Sequence, residues 1–303
     1  VDAVTLLQVA SAFLLNLAFS WLAGAWCARR WMHANGASRH AFEPALRRLD
    51  MAAAGLGVVS GAAGLLAATA IMGDVGLREA CPMFRVMLTD TDYGRAGCVV
   101  VLAMAALLLL RWRGAASRAG DAGAMLALGI FTLTRASMGH AGEEGYWSVA
   151  LAAEAMHYAA IGIWTGAVLV SGWFALEDAR IGASGMGMGI GAQDAYLHRM
   201  SQAALVAVLA IVVTGVYSAW RRVGTPEHLL HTSYGAILLA KVALVMAAIA
   251  LGGYNKLAGL PAASRSHRGL LRVRAVLRLE SVVLLGALLA ASTLITLQPP
   301  TAQ

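Results

Sequence analysis

Apolar residues in this chain come in long unbroken runs, not in alternation and not in one-sided stripes. A helix needs about 20 largely apolar residues to cross the hydrocarbon core of a bilayer. Eight runs are close to or above that length: 4–28, 50–73, 94–110, 121–139, 147–176, 200–220, 234–255 and 276–297. In lipid the backbone can satisfy its own hydrogen bonds only as helices or as a closed barrel. Barrel strands would alternate, and these runs do not. The expected fold is an all-α membrane protein: a bundle of eight transmembrane helices that forms a single domain over 1–303. The first run is too long for the apolar core of a signal peptide and is expected to be a span.

The polar stretches between the runs set the orientation. Stretches 29–49, 111–120, 177–199 and 256–278 carry 16 Lys and Arg residues, against five in 74–95, 140–146 and 221–233. Basic residues concentrate on the cytoplasmic side of short loops. Both termini are therefore expected on the other side, a periplasm, with the protein multi-pass in the inner membrane of a bacterium. The same asymmetry accounts for the net charge of +7 and leaves no call for nucleic acid as a partner.

An internal echo predicts how the spans are arranged. "TDYGRAGCVVVLAMAAL" from Thr91 resembles "TSYGAILLAKVALVMAA" from Thr232, and "VVSGAAG" in the second span resembles "VVTGVYS" in the sixth. Halves of four spans each, 1–142 and 143–303, would be parallel repeats, because an even number of crossings restores the starting side. Composition sharpens the membrane reading: 59% of residues are apolar, 13% are charged, and the mean hydropathy is +0.69. Soluble domains average about 45–50% apolar and about 25% charged. The 33 glycines suit helices that pack by close backbone approach. The three cysteines form no CxxC pattern, and Cys27 and Cys98 fall in or beside apolar helices, where packing explains them.

Ionisable groups inside a span are costly and therefore point to function. Glu154 and Lys241 each lie about seven residues below the outer end of a span, roughly 10 Å deep, where pairing would relieve two desolvation penalties at once. His157 follows Glu154 at i+3 on one helix face, and Trp164 continues that stripe two turns on. Met156 faces elsewhere. Asn255 and Glu280 sit near the inner face, at depths that allow a hydrogen bond across a hairpin. Arg135 is near enough to an outer end to snorkel.

Soft donors gather at the outer boundary. Met138 and His140 close the fourth span, and Glu143 and Glu144 follow. Met72 and "CPMFRVM" offer Cys81, Met83 and Met87, while "EHLLH" offers His228 and His231. Thioether and imidazole together suit copper, and thioether favours Cu(I) over zinc or magnesium. The inner stretch "GASGMGMGIGAQ", with Met186 and Met188, reads as a Gly-rich linker or as a soft-metal hand-off. Packing explains any one of these residues taken singly.

Several stretches resemble the copper resistance protein D family of inner-membrane proteins. "SMGHA" resembles its Gly-His-Ala at the end of the fourth span. "AEAMHYAAIGIWTGAVL" resembles its acid-x-x-His, apolar run and Trp-x-Gly-Gly, with Ala167 in place of the second glycine. "RMSQAALVAVLAIVVTGVYSAW", "TSYGAILLAKVAL" with "GGYNKL", and "LRLESVVLLGALLAASTLITLQPP" resemble its last three spans in order. The resemblance implies copper movement from periplasm to cytoplasm beside a periplasmic copper carrier. It points to His140, Glu154, His157, Trp164, Lys241, Asn255 and Glu280.

The expected function is copper transport, with Met138, His140, His228 and His231 capturing the ion and His157 beside Glu154 forming a deeper station. His140 and His157 should differ in depth by roughly 10–15 Å, which predicts two successive sites. Either oxidation state of copper fits, as does a monomer or a homo-oligomer. Two alternatives stand beside it: a haem- or copper-binding redox subunit, and a copper-binding scaffold that transports nothing. A bis-histidine haem would need two imidazoles at matched depth, and only His157 is clearly within a span. No nucleophile lies beside a base and no nucleotide fingerprint occurs, so the chain is not expected to be an enzyme.

Overall fold

The computed structural model describes residues 2–33, 43–114, 117–145, 147–176, 190–223 and 226–297. Every regular element among them is helical: α1 (Ala3–His33), α2 (Glu43–Gly73), α3 (Leu77–Asp90), α4 (Asp92–Trp112), α5 (Arg118–Ser137), a 3-10 turn (His140–Glu144), α6 (Val149–Val170), α7 (Ile190–Val223), α8 (Pro226–His231), α9 (Ser233–Tyr254), α10 (Leu260–Ala263) and α11 (His267–Leu294). Short π-helical turns, Ser171–Ala175 and Asn255–Gly259, extend α6 and α9. The "GASGMGMGIGAQ" methionines, Met186 and Met188, lie outside the described residues, as do the side chains of His140 and His228.

Among the described residues seven helices are long and apolar enough to cross a membrane: Ala3–Met32, Glu43–Gly73, Asp92–Trp112, Val149–Ala175, Gly191–Arg221, Ser233–Ala263 and His267–Leu294. The expected fourth span appears as α5, which carries Arg118, Asp121 and Arg135 in 20 residues and is not among the seven. It nevertheless runs between the two ends of the bundle. Near its start, the Asp121 carbonyl accepts a hydrogen bond from Trp26 Nε1 of α1 at 3.3 Å. Past its end, Met138 shares a cavity with Gln8 near the start of α1 and Leu297 after α11. The beginning and end of the described chain thus lie at one end of the bundle, called here the terminal end.

The outward stretch 74–95 holds a helix that hydropathy runs do not reveal. α3 spans 14 residues, contains Pro82 and buries only Ala80 and Met87. It is too short to span and has no long apolar run. The inner stretch 256–278 is also largely helical.

Hydroxyl caps start five of the described helices, one of them Ser148 at the head of α6, and the four that meet a glycine amide repeat in order along the chain. Thr91 accepts from the Gly94 amide at 2.9 Å at the head of α4, and Ser117 from Gly120 at 3.1 Å at the head of α5. Thr232 accepts from Gly235 at 3.0 Å at the head of α9, and Ser266 from Gly269 at 3.1 Å at the head of α11. Each cap satisfies one of the orphan donors of a first helical turn.

At the centre α1 crosses α6. Gly24 and Gly166 meet there so closely that a Cβ on Gly24 would overlap the Gly166 backbone, and one on Gly166 would overlap the backbone of Ser20 and Gly24. One turn away, Gly162 admits the ring of Phe19, which stacks on Phe131 of α5 at 4.5 Å between centroids. Small residues at a crossing allow membrane helices to gain close van der Waals contact that lipid tails cannot supply.

Charged networks hold the opposite end. Asp50 of α2 is fully buried and takes Arg29 Nη1 at 2.6 Å, Arg111 Nε at 3.0 Å and Trp21 Nε1 at 3.1 Å. Glu43 adds a second carboxylate to Arg29 at 3.1 Å. Arg47 donates to the carbonyls of Arg111 and Trp112 at 2.7 and 2.6 Å, which ties α2 to the end of α4. In the second half the Gly172 carbonyl, inside the first π-helical turn, accepts from Arg274 Nε at 3.3 Å and Arg278 Nε at 3.0 Å.

Replacing Gly166 with Val should push α1 from α6. Forced overpacking costs about 1–3 kcal/mol even where neighbours can yield, and here the neighbour is backbone. The expected outcome is loss of the monodisperse peak in detergent or a clear fall in melting temperature. Gly129→Ala, at a position with open space around it, is the control and should leave both unchanged.

Candidate metal-entry cavity and a buried inner carboxylate

A cavity of about 380 Å³ opens at the terminal end, among α1, α2, α4, α5, α6, α9 and the end of α11. Exposed Glu143, in the 3-10 turn, lines it, as do Met138, Met72, Glu154, His157 and Lys241. The His157 and Lys241 positions are each eight residues into their helices, about 12 Å below the helix starts. Met138 and His157 thus face one cavity rather than two separate compartments. The 3-10 turn is tethered over α7 by an ion pair between Glu144 and Arg221.

The wall also contains polar groups that sequence reasoning did not single out. Tyr93 and Tyr234, two residues beyond the caps Thr91 and Thr232, both line the cavity. Asn16 and Ser20 of α1 sit one helical turn apart on its wall, and Asn16 Oδ1 and Ser20 Oγ are buried without a protein hydrogen-bond partner. The Arg135 guanidinium lies 5.8 Å from the Tyr158 ring centroid, against the cavity wall.

His157 is held by a residue the sequence did not flag. Its Nδ1 lies 2.9 Å from Thr214 Oγ1 on α7. The Thr214 hydroxyl has one proton and directs it to the Ala210 carbonyl, which can only accept, at 2.6 Å. Thr214 oxygen therefore accepts from Nδ1–H, which assigns the lone pair of the neutral ring to Nε2. Gly215 leaves room for the ring: a Cβ there would stand 3.5 Å from His157 Cε1. A histidine braced through one nitrogen, with the other fixed as the basic one, has the arrangement of a metal ligand with its outer partner.

Met156 is exposed and does not line this cavity. Several of the expected donors do not join it. His231 is exposed, and neither it nor Cys81, Met83 or Met87 lines the cavity. Met87 is buried under α4, with its sulfur 3.3 Å from the Thr91 hydroxyl. Among the described residues no three His, Cys, Asp or Glu side chains form a metal-holding group.

Trp164 leaves the stripe of Glu154 and His157 for a second, inner cavity of about 130 Å³, which Glu280 and Asn255 also line. The expected hydrogen bond between Asn255 and Glu280 is not made. Glu280 instead accepts from Trp164 Nε1 at 3.0 Å, while Asn255 Oδ1 and Nδ2 are buried with no partner. A π-helical turn begins at Asn255.

The comparisons with known proteins give these positions a context. Residues 3–149 match the family described as copper resistance protein D-like, N-terminal domain, and residues 194–294 match copper resistance protein D. The chain belongs to the copper resistance protein D family. It is thus a multi-pass copper-resistance membrane protein. Comparison with curated proteins and with solved structures gave no match. The N-terminal match contains Met138, and the C-terminal match contains Thr214, Lys241, Asn255 and Glu280. His157 and Trp164 fall between the two matches.

Were His157 a copper ligand, removing the Thr214 brace would weaken metal binding and leave the imidazole in place. Loss of an outer partner typically costs 10–100-fold in affinity. Thr214→Val is expected to lower Cu(I) affinity of the purified protein about tenfold, with Thr214→Ser close to the parent. Competition with a chromogenic Cu(I) chelator measures both.

Proposed function

We propose that this protein carries copper across the inner membrane, towards the cytoplasm, through the cavity at the terminal end. The observation that carries the reading is His157: a braced imidazole about 12 Å inside a membrane helix, on the wall of a cavity that also has Met138 at its rim. Met138 and His140 are the capture station, with His228 and His231 as outlying donors on the same side. His157, beside Glu154, is the deeper station. The two stations lie in series along one vestibule.

Few strong ligands is the property a transporter needs. An ion held by a closed four-ligand shell would not leave, and conduction requires binding that is favourable at each step but weak enough to release. Asn16 Oδ1 and Ser20 Oγ supply oxygen acceptors for the hydration of an ion on that path, and Glu143 and Glu154 offset its positive charge.

The basic residues support an orientation with the Asp50 network on the cytoplasmic side and the cavity on the periplasmic side. α5 is the eighth crossing in this reading, since it begins at the Asp50 end and leads to the cavity. Its buried Phe131 and the Arg135–Tyr158 contact compensate for its polar residues. The matching Thr and Ser caps support two parallel repeats, with α1, α2, α4 and α5 corresponding to α6, α7, α9 and α11.

His157→Ala should abolish copper accumulation in reconstituted vesicles, with at least a tenfold drop in initial rate, while copper still binds at the rim. Simultaneous loss of rim binding and uptake would overturn the serial arrangement. His140→Ala should slow uptake chiefly at limiting copper. Unchanged uptake there would make His140 a boundary residue.

A further inference from the structure

The inner cavity contains a buried acid for which the described residues supply no counter-charge. Glu280 is 2% exposed, and its protein partner is the neutral indole of Trp164 at 3.0 Å. An ionised carboxylate in a low-dielectric interior costs several kcal/mol unless something positive accompanies it. The same chain shows what compensation looks like, since Asp50 is equally buried but takes two guanidinium groups. Among the described residues Glu280 has no such ion pair.

The surroundings are shaped for oxygen donors. Asn255 is 3% exposed, lines the cavity, and has both amide atoms unpartnered. Gly252 and Gly259, on either side of it, make room for these two side chains. A Cβ at Gly252 would stand 3.2 Å from Glu280 Oε1, and one at Gly259 would stand 2.7 Å from Asn255 Oδ1. The cavity, at about 130 Å³, is large enough for several waters at about 30 Å³ each.

We infer that Glu280 and Asn255 form a loading site for a hard monovalent cation: a proton or an alkali-metal ion. Carboxylate and amide oxygens favour hard cations, whereas copper at the outer cavity is met by thioether and imidazole. The titratable groups around Glu280 are few. Among the residues lining the cavity, from α6, α7, α9 and the turn after it, α10 and α11, Lys256 is the other titratable side chain, and it is exposed. Arg274 and Arg278, on Glu280's own helix, turn a guanidinium nitrogen to the Gly172 carbonyl. A proton would reach Glu280 from hydronium, leaving water behind, while an alkali ion would shed part of its hydration shell to the two oxygens. Trp164 is seven residues from His157 on the same helix, so filling this site could be felt at the copper station. That use in transport rests on the reading above; the site itself does not.

The test uses the purified full chain in nanodiscs without copper. Infrared difference spectra, parent minus Glu280→Gln, are recorded across pH in choline chloride and then with added sodium or potassium. A Glu280-specific carboxyl band that titrates with pH identifies the proton. A carboxylate band that shifts with sodium or potassium identifies an alkali ion. Asn255→Val should weaken whichever response is seen about tenfold. No response to either, or an unchanged response in Asn255→Val, overturns the site. Because copper flux plays no part in this readout, a failed uptake assay would strike the transport reading alone.

Discussion

The close approach of α1 and α6 at Gly24 and Gly166 is the constraint on which the other features depend. Lipid gives helices no hydrophobic reason to associate, so van der Waals contact must hold them together. With glycine on both sides the two backbones touch, and the side chains flanking the crossing are fixed relative to each other. Towards the terminal end, α1 presents Asn16 and Ser20, and α6 presents Glu154 and His157, to the same cavity. Towards the other end, Trp21 of α1 reaches Asp50 and Trp164 of α6 reaches Glu280. A larger residue at the crossing would displace both cavities, although neither glycine lines either one.

The two indole-to-carboxylate contacts make an informative comparison. Each is about 3 Å long and each acid is buried. At Asp50 the charge is met by Arg29 and Arg111 and tied to Glu43 through Arg29, a permanent and fully protein-made solution. Such a network fixes the relative positions of α1, α2 and α4. Breaking a buried pair by removing one partner is strongly destabilising, about 3–5 kcal/mol, so this end of the bundle is expected to be rigid. At Glu280 the compensation is left to something outside the chain. A permanently neutralised acid serves architecture, whereas an acid lacking a built-in counter-charge can respond to what enters from water.

Much of the fold could be read from the chain. Runs of apolar residues locate the membrane helices because in lipid every buried backbone group must be satisfied within its own helix. Where the apolar run failed as a signal, the reason was local. α3 is amphipathic and short, so a search for long runs passes over it, and the helical 256–278 segment is stabilised by caps rather than by oiliness. Glu154, His157, Lys241, Asn255 and Glu280 were visible because charge and polarity stand out against apolar neighbours. Thr214 was not, since a threonine in a membrane helix ordinarily bonds its own backbone. It does so here, and its second role depends on the packing of α7 against α6, which no spacing along one helix encodes. Asp50 escaped for a different reason: it begins an apolar run, where a charge is expected, and its burial comes from residues 21 and 61 positions away. The hydrogen bond that similar depth allowed between Asn255 and Glu280 is not made, because depth along a span does not establish contact: both line one cavity, and Glu280 accepts from Trp164 instead.

One helix joins the two kinds of site. Seven residues separate His157 from Trp164, a rise of about 10.5 Å, and the intervening face is closed by Ile161 at the outer cavity and Phe19 packed on Gly162. Copper met by sulfur and nitrogen on one side, and a hard cation met by oxygen on the other, would not compete for the same donors. A ligand at either site can shift the shared helix only to the extent that it binds one arrangement better than another. The tight Gly24–Gly166 contact limits what such a shift can be: separation of the helices would forfeit the backbone packing, whereas a small rotation or slide about the crossing would preserve it. The π-helical turns after α6 and α9 are places where such a rotation can be absorbed without unwinding a span, because a π turn already departs from the regular ladder. Were His157 and Glu280 to exchange exposure in the transport proposed above, α6 would be the moving part and the Asp50 network the fixed one.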